Sequence, residues 1–299
     1  MQQRRIATVG MFDGVHSGHR LLIERMIEEG HRRELSSLAL TFSIHPLSCI
    51  CPERVPPMLL SVDNKRKKLI ATGVDEVEVF IFDCAFQSKT AREFMELLHN
   101  RYHVDVIMMG FNNRFGSDRL SSFDEYREVG KTVGVEVLQG PEYPGVSSTI
   151  IRNLIENHDL KQANAALGYR YFIEGDVVAG KKLGRTIGYP TANISIPDSS
   201  ILVPPEGVYV ANVLLPDGQQ YGAMVNIGRR PTVDVKGAPR SIEVHLFDFA
   251  GDIYGQRLVV EFINYIRGEH RFDSIEALVE QLHKDEQMAR AIVGNRQEL

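Results

Sequence analysis

A chain of 299 residues with 43% hydrophobic and 24% charged residues has globular composition, is long enough for two domains and is not that of a disordered protein. A net charge of −5 leaves no general basic field for nucleic acid, so any phosphate must be held by local groups. No apolar run is long enough for a bilayer, the start Met-Gln-Gln-Arg-Arg lacks a signal-peptide core, and three cysteines without zinc-like spacing read as free thiols; together they predict a cytoplasmic protein without membrane partners.

The first apolar run, residues 6–9, predicts a strand that stops at Gly10. A tight polar turn follows, and then Leu21, Leu22 and Met26 recur with helical spacing. Strand, glycine turn and helix place free N–H groups and a helix dipole in front of an anion. His16 and His19 share a face near the helix start, and Gly18 between them leaves the backbone open to close approach. Two imidazoles beside helix N–H groups suit a triphosphate attacked at its α-phosphorus, where fixed donors stabilise developing charge. A βα turn with two surface histidines fits His-x-Gly-His alone equally well; its place between strand and helix favours the phosphate site.

Strands are predicted at 38–42, 77–82, 104–109 and 135–138, and helices at 65–72, 91–101, 125–133, 149–157 and 160–167. This alternation implies a parallel sheet flanked by helices, with ligands beyond the carboxyl ends of the strands. Three further segments follow predicted strands: Thr41-Phe42-Ser43-Ile44-His45-Pro46, Gly110-Phe111-Asn112-Asn113-Arg114-Phe115-Gly116 and Ser147-Ser148-Thr149-Ile150-Ile151-Arg152. As bare sequence, the first is a loop with a proline stop, the second a glycine-bracketed turn, and the third an N-cap or a second anion cradle of hydroxyls, helix N–H groups and an arginine.

Beyond about residue 170 the helical period gives way to short β-rich runs at 171–178, 209–215, 221–227, 242–249 and 257–265, which predict a small antiparallel barrel. A helix over 274–290 follows, with Ile275, Leu278, Val279 and Leu282 on one stripe and Ser274 as its cap. Gly180, Lys182 and Arg185 lie in a glycine-rich basic loop ahead of Pro190-Thr191-Ala192-Asn193. Thr191 and Asn193 offer neutral oxygens suited to a Mg²⁺ that keeps waters and bridges phosphates. In 241–249, Ile242, Val244 and Leu246 point one way and Glu243 and His245 the other. A glutamate so placed is ordinarily on a solvent face.

The string Gly10 to His19 resembles the Gly-x-Phe-Asp-Gly-x-His-x-Gly-His signature of the FMN-adenylyltransferase half of bacterial riboflavin kinase/FAD synthetases, members of the nucleotidyltransferase superfamily. The resemblance extends in order through the other segments to Pro-Thr-Ala-Asn and Glu243-Val-His-Leu, and covers nearly the whole chain. It implies a Rossmann-like transferase domain over 1–168 and a riboflavin kinase barrel with a terminal helix over 169–299. It implies that Gly10, Phe12, Asp13, Gly18, Ser148 and Thr149 serve ATP in the first domain, with His16, His19 and Arg152 catalytic. His45, Asn112 and Arg230 would meet flavin, while Gly180, Lys182 and Arg185 would contact phosphate and Glu243 would be the base for the ribityl hydroxyl. Asn113 stands where the family usually has an aromatic residue, Arg119 falls near a basic position, and 266–272, at the barrel's end, is assigned no chemistry. The implied activity is phosphorylation of riboflavin by MgATP, then adenylyl transfer from ATP to FMN. A single-activity kinase and a non-catalytic flavin or nucleotide sensor are the alternatives. Oligomeric state is not legible.

Overall fold

The computed structural model describes residues 3–180, 183–229 and 240–294. By contact the chain divides into two compact units, Met1–Ser148 and Thr149–Leu299. The first unit holds β1 (Arg5–Val9), α1 (Ser17–Arg33), β2 (Ser36–Phe42), α2 (Leu47–Ile50), α3 (Val62–Ile70), β3 (Glu76–Phe80), α4 (Cys84–Gln87), α5 (Ala91–Tyr102), β4 (Val104–Met109), α6 (Phe123–Val133) and β5 (Glu136–Gln139). The helix α7 (Ser148–Glu156) begins at its last residue. The second unit continues with α8 (Leu160–Leu167), β6 (Phe172–Val178), α9 (Leu183–Thr186), β7 (Ala192–Ser195), β8 (Gly207–Leu214), β9 (Gln220–Arg229), β10 (Arg240–Leu246), β11 (Arg257–Arg267) and α10 (Ile275–Gly294).

All five strands of the first unit are parallel, in the order β3-β2-β1-β4-β5. β2 is buried along its whole length, as expected of an inner parallel strand covered on both faces. α5 shows why the flanking helices form where they do. Thr90 and Glu93 make a reciprocal capping box, Ala91, Phe94, Met95 and Leu98 form the buried stripe, and His103 ends the helix in the left-handed region. The strand order reverses between β1 and β4, which makes the carboxyl ends of those two strands the switch point of the sheet.

The second unit is a closed antiparallel barrel in the order β10-β7-β6-β11-β8-β9. β7 is a strand the sequence reading did not predict; its four residues are too few to show a period. That reading also grouped α7 and α8 with the sheet, whereas the contact division falls earlier, before Thr149. Asn164 of α8 ties that helix to the barrel: its amide donates to the Phe262 carbonyl and accepts from the Tyr171 N–H. Ile275, expected on the packed stripe of α10, is 60% exposed, and the buried positions of that helix are Asp285 and Ala289.

Candidate active sites

The turn that leaves β1 runs through unusual backbone. Phe12 and Val15 have φ of 48° and 39°, and Gly14 between them has φ of 83°. For a β-branched residue such as Val15 this conformation is strained and persists only where the surroundings over-determine it. The surroundings do so through the carbonyls. Asn113 Nδ2 donates to the Val9 carbonyl, and Thr41 Oγ1 donates to that of Met11 at 3.0 Å. Ser148 Oγ donates to Asp13 O at 2.8 Å, and Arg20 Nη1 to Val15 O at 3.1 Å. Four successive odd-numbered carbonyls are thus each held by a side chain from a different place in the chain. The Asp13 carboxylate is buried and accepts from the Leu59 and Leu60 N–H groups, which ties the turn to the approach of α3.

His16 caps α1, its Nδ1 accepting from the His19 N–H at 3.4 Å. A nitrogen that accepts carries no proton, so the proton of the neutral ring is on Nε2. The two imidazoles stack with centroids 3.6 Å apart, and the buried Phe12 ring meets His19 edge-on at 5.2 Å. Burial lowers the His16 pKa to about 4, with the Arg20 guanidinium adding to the shift. His19 is pushed well below its ordinary value, first by burial and then by His16, Arg20 and Lys65. His19 Nδ1 is shut from solvent with no hydrogen-bond partner. At neutral pH both rings are therefore uncharged dipoles in a desolvated setting.

Beside this turn a cavity of about 490 Å³ opens at the carboxyl ends of the first four strands. Phe42, Phe82, Phe86, Phe94 and Phe115 give it apolar walls, and Lys89, Arg114 and Arg119 add positive charge. Gly10, expected to serve ATP, and His45, expected to meet flavin, both line it. Asn112 does not; it is exposed, and its neighbour Asn113 lines the cavity instead. The tight turn that brings the Asn113 N–H onto the Gly110 carbonyl at 2.9 Å separates the two. Gly18 lies in the first turn of α1 beside the His16 ring. Thr149 and Arg152 continue α7 in the second unit, where Arg152 is buried.

The barrel carries the other constellation. Glu243 of β10 is the register partner of Asn193 in β7, and Thr191 Oγ1 donates to Glu243 Oε2 at 3.4 Å. These three line a cavity of about 630 Å³. A Cβ on Gly180 would run into the Asn193 side chain, so glycine lets that loop approach the asparagine without displacing it. The Thr191 hydroxyl and the Asn193 amide oxygen fit Mg²⁺, a hard cation that takes few protein ligands and keeps waters and phosphates. Among the described residues no group of His, Cys, Asp and Glu forms an alternative metal cage.

Arg185 is exposed and lines a separate cavity of about 100 Å³, not the one holding Glu243. Lys182 and Arg230 lie outside the described residues. The larger barrel cavity also takes Arg267, Glu269, His270, Arg271 and Phe272 from a segment to which the sequence reading gave no chemistry. Leu278 and Leu282 of α10 join them. Their helical spacing reads as packing stripe, and sequence alone does not separate a stripe facing a core from one facing a cavity.

Residues 1–152 match the family model described as FAD synthetase, and residues 167–293 the one described as riboflavin kinase. A bifunctional riboflavin kinase/FMN adenylyltransferase from Escherichia coli K12 is 36% identical over 298 residues, 98% of this chain and 94% of that protein. Its namesake from Bacillus subtilis is 33% identical over 301 residues, again 98% of this chain and 94% of that protein. A solved chain described as a macrolide-efflux protein from Streptococcus pneumoniae is similar in fold, with a TM-score of 0.87 and 33% identity over 97% of this chain and 95% of that one. Among the described residues here, no helix is long and apolar enough to cross a membrane.

Proposed function

This chain belongs to the bifunctional riboflavin kinase/FMN adenylyltransferase family, and we propose that the histidine turn carries its adenylyl transfer and the Glu243 cavity its phosphoryl transfer. The enzyme converts riboflavin and ATP to FMN and ADP, then FMN and ATP to FAD and pyrophosphate. The observation supporting this division is that the two sets of residues do not mix. The aromatic cavity is lined only by residues between Val9 and Arg119, and the barrel cavity only by residues between Gly184 and Leu282. We assign the functional boundary to 168/169, where Gly168 ends α8 in the left-handed conformation.

In the transferase, neutral His16 and His19 present Nε2 toward the α-phosphate oxygens, where negative charge grows as the FMN phosphate attacks. Donors already fixed and desolvated stabilise that charge without reorganising. Ser148, Thr149 and Arg152 serve the departing pyrophosphate. Asp13 acts through the backbone, since its carboxylate holds the Leu59 and Leu60 amides. In the kinase, Glu243 takes the proton of the ribityl hydroxyl as that oxygen attacks the γ-phosphate. Thr191 turns its own proton toward Glu243, which leaves its lone pairs, with the Asn193 carbonyl oxygen, to hold Mg²⁺. When bound, that ion supplies neutralisation of phosphate charge. We also place the enzyme in the cytoplasm, where Cys49, Cys51 and Cys84, all free thiols, stay reduced; cell fractionation tests this.

Chromatography of riboflavin incubated with MgATP tests the division. His19→Ala accumulates FMN and forms little FAD. Glu243→Gln forms FMN about 10²–10⁴-fold more slowly, yet converts supplied FMN to FAD. Wild-type FAD formation by the histidine variant, or wild-type FMN formation by the glutamine variant, overturns it.

A further inference from the structure

We propose that His245 is a positioning residue for riboflavin phosphorylation, holding the Pro190 carbonyl so that Thr191 stays against Glu243. The inference rests on reading the barrel cavity as the kinase site. The ladder between β10 and β7 contains only the pairs Glu243↔Asn193 and Val244↔Ala192. One step further, His245 would pair with Thr191, and beyond that Pro190 has no N–H to donate. The strand therefore loses its backbone tie just where its hydroxyl must meet the glutamate. His245 replaces that tie with a side chain: its Nδ1 lies 2.8 Å from the Pro190 carbonyl oxygen. A carbonyl only accepts, so Nδ1 carries the proton and the tautomer is fixed.

His245 stands two residues from Glu243 on one strand, hence on the same face, and both line the cavity. One strand thus presents the carboxylate to Thr191 and the imidazole to the residue before it. The ring is itself held between Tyr189, at 5.1 Å, and Phe247, at 5.9 Å. Tyr189 is fixed from α10 in turn, its hydroxyl lying 2.8 Å from His283 Nδ1 and 3.0 Å from Glu286 Oε2. A shift of Thr191 by even an ångström would separate it from Glu243, because 3.4 Å is already near the limit of a hydrogen bond.

The test compares two variants of the full chain. His245→Phe keeps a ring against Tyr189 but removes the donor, whereas His245→Asn keeps an N–H where Nδ1 stands and removes Nε2. We expect His245→Phe to lower kcat for riboflavin phosphorylation about ten-fold or more, with KM for riboflavin within about two-fold. His245→Asn should recover kcat to within about three-fold of wild type, because its amide can make the same bond. Conversion of supplied FMN to FAD by the same preparations stays at the wild-type rate, and the thermal unfolding midpoint of the barrel reports on its folding. Wild-type kcat in His245→Phe, or equal losses in both variants, overturns the proposal. Should His245→Phe fail to fold, His245→Asn decides alone: near wild-type kcat supports the tie, and a ten-fold loss refutes it. Glu243→Gln is measured alongside; if it keeps kinase activity, the reading of the cavity fails, independently of His245.

Discussion

The turn after β1 and the strand β10 build their sites in opposite ways. Around β1 the groups come from distant parts of the chain, each fastening one carbonyl of a strained turn, and burial strips the charge from the histidines. Around β10 the key groups are neighbours in a hydrogen-bonded ladder, and Glu243 remains half-buried beside a large cavity. The contrast follows the two reactions. Stabilising charge on a phosphate oxygen calls for fixed, desolvated dipoles, while removing a hydroxyl proton calls for a carboxylate able to gain one. The first site stores its precision in local strain, and the second borrows its precision from the barrel and from α10.

The largest effect expected on that contrast comes from the helix. Asp285 is fully buried and accepts from Arg267 Nε at 3.0 Å and Nη2 at 2.7 Å, and from Gln281 Nε2 at 2.8 Å. Asp285→Ala leaves Arg267 without its counter-charge and should cost about 3–5 kcal/mol. Thermal unfolding of the barrel should move down by on the order of 10 °C, with kinase activity lost at the same temperature. An unchanged midpoint would show that the barrel site does not depend on α10.

A smaller effect tests the desolvated histidines. His16 is held at about 4 when folded, against an ordinary value of 6.5, so between those values the unfolded chain binds more protons. Its contribution to stability is complete above pH 6.5 and is lost as pH falls toward 4. Between pH 7 and pH 5 the loss should be about 2 kcal/mol. In urea titrations, His16→Asn, which keeps an N-cap acceptor, should lack this part of the acid destabilisation. Equal acid sensitivity in the two proteins would mean that His16 is not desolvated.

Legibility in the sequence followed how each site is built. The parallel sheet, the barrel and α5 showed through the period of their apolar residues, because that signal is local. His16, His19, Glu243 and Asn193 sit in strings compact enough to read. The bonds from Thr41, Asn113 and Ser148 to the turn were hidden, since they span 30, 104 and 135 residues. β7 was hidden by its brevity, and the segment from Arg267 to Phe272 because cavity-lining residues follow no period. Arg185 shows the converse: basic character and proximity in sequence did not bring it to the Glu243 cavity.

Asn113 offers the finest test, because the sequence reading marked it as a departure from the pattern that the chain otherwise resembles. Its amide donates to the Val9 carbonyl, at the last residue of β1, and its side chain also lines the aromatic cavity. Asn113→Ala removes one hydrogen bond from the strained turn and one face of the cavity wall. A single such bond is worth about 1 kcal/mol, roughly five-fold in an equilibrium. If the asparagine shapes only the wall, KM for supplied FMN rises about five-fold while kcat for FAD formation holds. If it also braces the turn that carries the histidines, kcat falls with it, because the imidazoles then lose their alignment with the phosphate. The hold on four successive odd-numbered carbonyls predicts the second outcome, and an effect confined to KM would show that the other three ties suffice.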